Sequence, residues 1–362
     1  TTADGLTVSG NTEIDGGTIK LDGNYPTGTG NVALGDAALD DGSLSGNNNT
    51  AIGNSALTAN TTGAGNVAIG STALDANTTG GRNIAMGVGA LGSYNVTDGG
   101  HDYNVAIGFQ ASLSLTTADQ TVSIGGFALT DNTTGVRNTA VGYGALGDNT
   151  TANNNIAVGY SALNLNTTGT QNNAVGSTAG DAITTGSYNN VLGYGAGGAV
   201  TTANGNTAMG HTALNNTTTG VNSSFGYEAG YYITTGTSNT ALGYQALKGT
   251  TDTTADNNTA VGHQALTANT TGAGNTAVGA LASDANTTGA NTAAFGTAAL
   301  SQNTTADGGT AFGSNALTAN TTGANNTGVG FLALSANTTG TENVAVGTFA
   351  LDANTTASNN VG

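Results

Sequence analysis

Apolar and polar positions along this chain recur with a fixed period. A five-residue group of Asn, then Val, Ile or Thr, Ala, an apolar residue and Gly reads NVALG at 31–35, NVAIG at 66–70 and NTAVG at 138–142. It returns as NIAVG at 155–159, NTAMG at 206–210 and NVAVG at 343–347. The closing glycines run from Gly35 to Gly347 and number 19; 14 of the 18 intervals between them are 17 residues, and the others are 16, 18, 19 and 21. One full unit runs from Asn66, taken as position 1, to Arg82, position 17. Positions 2 and 4 are apolar or Thr and lie two residues apart, which puts them on one face of a strand, with the Ala of position 3 facing the other way. The Gly of position 5 allows a bend or a positive φ. Positions 8 and 9, usually Ala-Leu, predict a second short strand, and Asn-Thr-Thr-Gly at positions 12–15 predicts a turn. No apolar run follows a 3.6-residue period, and Gly, Asn and Thr all disfavour helix. Two short strands and two turns per unit make one coil of a parallel β-solenoid, an all-β fold. Nineteen coils stacked at about 4.8 Å form a rod roughly 90 Å long.

In this reading the aliphatic side chain at position 4 and the Leu at position 9 supply the buried apolar surface. The Ala at position 3 points outward, where another chain can approach closely. One or two large side chains per coil fall short of the entropy lost in ordering the coil. A homo-oligomer is therefore expected, most simply a homotrimer of parallel rods. Residues 1–30 lack the repeat: Leu6, Val8, Ile14, Ile19 and Leu21 are interspersed with glycines, a pattern of short strands and tight turns, and the single proline, Pro26, stands near the junction. An N-terminal β-rich cap or adaptor is expected over 1–30 and the solenoid over 31–362. Because the chain starts at Thr1 and breaks off in a new unit at Asn360-Val361-Gly362, it is expected to be part of something longer and to continue past Gly362.

Composition narrows the function classes. The 362 residues carry 4 bases against 21 acids, a net charge of -17. Four bases cannot neutralise a nucleic-acid backbone or draw the chain to anionic lipid. No run approaches the roughly 20 apolar residues of a membrane span. Neither nucleic-acid binding nor direct membrane insertion is expected. There are no cysteines, which removes disulfides, thiolate metal sites and cysteine nucleophiles together. The low charge and 60 glycines would suit a disordered chain, but a disordered chain has no reason to hold a 17-residue register.

The Asn-Val-Ala-Ile-Gly signature followed by Ala-Leu, as at Asn66 to Gly70 and Asn104 to Gly108, resembles the head repeat of trimeric autotransporter adhesins, the YadA-like heads. That resemblance covers Asn31 to Gly362 and implies a left-handed parallel β-roll in which three chains wind into one trimer. The unit here is longer than the adhesin unit, extended through Asn-Thr-Thr-Gly. Longer units of this kind also resemble tail or neck fibre repeats of bacteriophages, particularly marine ones. The heptad stalk and barrel anchor of the adhesins do not occur in this sequence.

Several residue sets carry candidate chemistry. Asn60, Asn77, Asn132, Asn149, Asn166, Asn269, Asn286, Asn320 and Asn337, with Asn216, Asn303 and Asn354, each open an Asn-Thr-Thr. Each is a glycosylation sequon; equally, their amides can stack into a hydrogen-bonded turn ladder. Tyr143, Tyr160, Tyr194, Tyr227 and Tyr244 share position 6 with Phe109, Phe331, His211 and His263. They form either an exposed aromatic strip for a sugar or protein receptor or a stack between coils. The longest interval concentrates Asp98, His101, Asp102 and Tyr103, a candidate receptor-contact loop or a tolerated insertion. Three G-x-G-x-x-G matches, such as Gly142 to Gly147, are positions 5–10 of the unit and precede no helix, so they are not phosphate loops.

The expected function is a structural fibre or adhesion protein, not an enzyme. It would be a rigid trimeric rod, extracellular, projecting from a virion or cell surface and supporting attachment to a cell-surface glycan or protein. No cofactor, metal or catalytic residue is expected. The alternatives are a bacterial adhesin head, a glycan-cleaving phage tailspike built on paired carboxylates, and an ice-binding solenoid built on threonine rows.

Overall fold

A computed structural model describes residues 23–25, 28–96 and 102–362. Most of the expected cap lies outside the described residues; within them, β1 (Gly23–Tyr25) pairs antiparallel with β2 (Gly28–Leu34). From β2 onward each strand pairs in parallel with the next, through β3 (Thr50–Ile52), β4 (Val67–Ile69) and β5 (Ile84–Met86) to β20 (Val344–Val346). The register never slips: Val67 stands opposite Ile84, Ala68 opposite Ala85 and Ile69 opposite Met86. The fold is a parallel β-solenoid of 18–19 turns with about 17 residues and one strand per turn.

The second strand expected at positions 8 and 9 does not form. The chain instead curls through left-handed backbone at positions 7 and 9, where Thr72 has φ 53° and Leu74 φ 54°. A strand would send Ala73 and Leu74 to opposite faces, whereas this curl buries both. The curl is itself tied to its neighbours, since Thr72 N–H donates to Asn54 O in one adjoining coil (2.9 Å) and Leu74 N–H to Ala90 O in the other (2.9 Å).

The strand also faces the opposite way from the expectation. Ala68, Ala85 and Ala106 at position 3 are fully buried, while position 4 faces out, with Leu34 58%, Met86 38% and Leu242 48% exposed. The reason is width. A coil of this length encloses only a narrow interior, which the Leu of position 9 and the alanines of positions 3 and 8 fill. Position 3 widens to Val191 only where position 9 has shrunk to Gly180 and Gly197: a Cβ on Gly180 would lie 3.1 Å from Val191 Cγ2, and one on Gly197 2.9 Å from Val191 Cγ1.

The position 5 glycine is required twice over. Gly70 has φ +133°, and a Cβ built there would stand 2.5 Å from the carbonyl oxygen of Gly87 in the next coil. A Cβ would therefore be strained by its backbone and would block the stacking of the coils.

Candidate interaction surfaces

The Asn-Thr-Thr-Gly turns build a ladder inside the rod. Asn77 Nδ2 donates to Asn60 Oδ1 (3.3 Å) and to Gly80 O (3.1 Å), and Asn77 Oδ1 accepts from Gly80 N–H (3.1 Å). The same amide-to-amide bond links Asn132, Asn149 and Asn166, and then runs from Asn269 through Asn286, Asn303 and Asn320 to Asn337 and Asn354. From Asn60 to Asn337 these side chains are fully buried, so an oligosaccharide cannot be carried there by the folded coil. Asn216 does not take the ladder place in its coil; Thr217 does, fully buried and donating to Ile233 O (2.9 Å). The neighbouring Thr at position 13 is likewise used along the axis, as in Thr61 Oγ1 to Thr78 O (3.0 Å) and Thr321 Oγ1 to Thr338 O (3.0 Å).

A second buried amide ladder occupies position 1. Asn66 N–H donates to Asn49 Oδ1 (2.9 Å) and Asn66 Nδ2 to Gly80 O (2.9 Å). Sequence reasoning did not read position 1 as a ladder, although the signal was there: Asn opens nearly every five-residue group.

The aromatic residues of position 6 stack along the axis. Tyr194, His211, Tyr227, Tyr244 and His263 form one run with ring centroids 5.1–5.4 Å apart. Tyr143 and Tyr160 form a second, at 5.8 Å and 9° between planes. The rings are about half exposed, and within each run they cover one another's faces. Beside the longer run, Glu228 accepts from Lys248 Nζ (2.6 Å) and Gln245 Nε2 (2.8 Å), and Gln264 Nε2 donates to Gln245 Oε1 (2.9 Å). The hydrogen bond from Lys248 holds the Glu228 carboxyl below its ordinary range. Burial pushes the carboxyls of Asp75, Asp148 and Asp181 up, at Asp148 with help from the Asp131 charge.

Of the candidate receptor loop, Asp98 and His101 lie outside the described residues. Asp102 is 5% exposed and accepts from Gly81 N–H (3.0 Å) in the preceding coil and from Asn83 Nδ2 (3.4 Å) at the start of its own coil. Tyr103 is exposed; its hydroxyl accepts from Arg82 Nη1 (2.8 Å), and the guanidinium lies 5.5 Å from the ring centroid. Of the two described members of that set, Tyr103 is the one exposed to a partner.

Positions 2 and 4 together form an outward ridge. Position 4 is apolar in all 19 coils: Leu, Ile, Met, Val or Phe. Position 2 is mostly aliphatic from Val67 to Ile156 and mostly Thr or Asn from Asn173 to Thr327. Among the described residues there is no cluster of three or more His, Asp or Glu side chains that could hold a metal ion. Compared with known proteins, the chain matches no family model and resembles no curated protein significantly.

Proposed function

We propose that this chain is the rod of a structural fibre. Parallel copies pack through the apolar ridge, and the assembly projects from a virion or cell and supports attachment to a host or surface. The observation that carries this reading is position 4. It is apolar in every coil yet stands outside the coil's own core. Isolated exposed apolar residues are ordinary on a monomer; an apolar residue at the same outward position of every coil, half-buried to exposed, along a rod of roughly 90 Å fits a contact surface. Its partner has to match it in length and repeat, which a second and third copy in the same register do. The threefold order, the extracellular setting and the attachment role come from the resemblance to adhesin head and phage fibre repeats. Stiffness follows from the coil stack, since the backbone and amide hydrogen bonds run along the axis.

Sedimentation equilibrium tests the assembly. The expected mass is three times the 34.8 kDa of one chain, and a monodisperse single chain overturns the reading. Immunogold electron microscopy with an antibody to the rod tests its setting; label confined to the cytoplasm of a host cell overturns it.

A further inference from the structure

The aromatic ladder has a missing rung. Tyr160 stacks on Tyr143, and Tyr194 on His211, but the coil between Tyr160 and Tyr194 carries Ser177 at position 6. Two coil steps of about 4.8 Å separate the two tyrosines, against 5.1–5.8 Å for one stacked rung elsewhere in the ladder. The opening leaves room for one ring. It leaves Tyr160, 57% exposed, and Tyr194, 57% exposed, each without a ring neighbour on the side facing Ser177.

A groove of about 340 Å³ opens beside it, lined by Tyr160, Ser161, Asn164, Leu165, Thr178 and Asp181 among others. Its polar groups suit hydroxyl partners. Asn164 Nδ2 is already used on Gly144 O (2.7 Å), which turns the Asn164 carbonyl oxygen into an acceptor for a ligand. The hydroxyls of Ser161 and Thr178 can donate or accept, and neither has a protein partner among the described residues. The Asp181 carboxylate, partly withdrawn from water, is an acceptor that strengthens as water leaves. An aromatic face, a carboxylate, an amide carbonyl and two hydroxyls over an apolar floor at Leu165 match a ring with apolar C–H faces and a hydroxyl rim.

We propose that the gap over Ser177 and the adjoining groove form a binding site for a neutral hexopyranose, the sugar ring taking the place of the missing aromatic rung and its hydroxyls reaching Asp181, Asn164, Ser161 and Thr178. The site lies across the position 5 bend from the apolar ridge.

The test is ligand-observed saturation-transfer NMR on the full chain with the methyl glycosides of glucose, galactose, mannose and N-acetylglucosamine as probes. Three variants report on the site: Tyr160→Ala removes one wall, Asp181→Asn removes the charge, and Ser177→Tyr restores the rung. The last places at position 6 the residue found on either side of it, so it keeps the fold while closing the gap. Tyr244→Ala, in the unbroken run, is the control. The expected result is transfer to at least one glycoside that falls at least tenfold in all three site variants and persists in the control. The proposal is overturned if no glycoside receives transfer, if Ser177→Tyr leaves transfer unchanged, or if Asp181→Asn does.

Discussion

Gly180 and Ile183 share one space in the core: a Cβ built on Gly180 would stand 3.0 Å from Ile183 Cδ1. In most coils position 9 is Leu and position 12 is the ladder Asn. Where position 9 is Gly, at 180, 197 and 230, position 12 is Ile183, Val200 or Ile233. The large side chain has moved from one end of the turn to the other, and the amide ladder stops for it. Asn166 Oδ1, one coil before Ile183, is left buried without a hydrogen-bond partner.

This exchange predicts strong coupling between the positions. Gly180→Leu alone overfills the coil at a cost of about 1–3 kcal/mol, and Ile183→Asn alone leaves a cavity. Gly180→Leu, Ile183→Asn and Val191→Ala together convert the coil to the majority pattern. The left-handed backbone at 180 (φ 58°) is the one that Leu163 (φ 49°) already adopts, and the amide that Ile183→Asn introduces would supply the donor that Asn166 Oδ1 lacks. Chemical denaturation of the single and combined variants should give a coupling energy of about 1–3 kcal/mol; additive costs would refute the shared-space account.

Backbone conformation makes opposite predictions for two neighbouring residues. Gly70→Ala places a Cβ 2.5 Å from Gly87 O on a backbone with φ +133° and should cost more than about 3 kcal/mol, since the clash is with a stacked carbonyl. Thr72 sits half-exposed in left-handed backbone at φ 53°, where coils elsewhere already carry Gly89, Gly144 or Gly195. Thr72→Gly should therefore stabilise by roughly 0.5–1 kcal/mol, the relief of left-handed strain outweighing the entropy of the unfolded glycine. Hydrogen exchange at the Gly70 and Gly87 amides, which bond Ile52 O and Ile69 O, reads both: faster in the first variant, slower in the second.

How far the fold could be read from the chain depended on which residues had a single structural use. The glycine of position 5 did, because its φ and its contact with the next coil leave no alternative, and so the period and the stacked solenoid were legible. The Asn-Thr-Thr-Gly turn was legible as a turn for a similar reason. The strand facing was not, because hydrophobicity alone favours burying Ile69 over Ala68. The decisive quantity was the width of the coil, which no local pattern reports. The curl at Leu74 was hidden too, since leucine rarely adopts φ near +54°; it does so here because the alternative would expose it. The Ser177 gap had a plain sequence signal, a serine interrupting tyrosines at position 6, that gains meaning only beside the groove.

Acid should act on this rod in two opposed ways. The lowered Glu228 carboxyl contributes stability that is present above its unfolded value and lost as pH falls through its folded one. The raised carboxyls of Asp75, Asp148 and Asp181 do the reverse: they destabilise once pH exceeds their folded values, and that penalty disappears as pH drops below the unfolded carboxylate range. Asp148→Asn should accordingly raise the melting temperature at pH 7 and have no effect near pH 3. An equal gain at both pH values would show that the charge is not the cause.

The outward ridge gives the sharpest separation between fold and assembly. Ile124 and Met209 at position 4 are 37% and 38% exposed in the single chain and lie outside its buried core. Replacing either with Lys in an isolated rod is a surface change, expected to move stability by no more than about 0.5 kcal/mol. In an assembly packed through this face the same change buries a charge against apolar neighbours and removes an aliphatic contact worth about 1.5–3 kcal/mol per chain. The double variant Ile124→Lys/Met209→Lys should therefore keep the β-rich circular dichroism spectrum while its sedimentation mass falls to that of one chain. A spectrum lost together with the mass would mean that coil and assembly fold as one unit. A mass that stays multimeric with the spectrum intact would place the contact on another face of the rod.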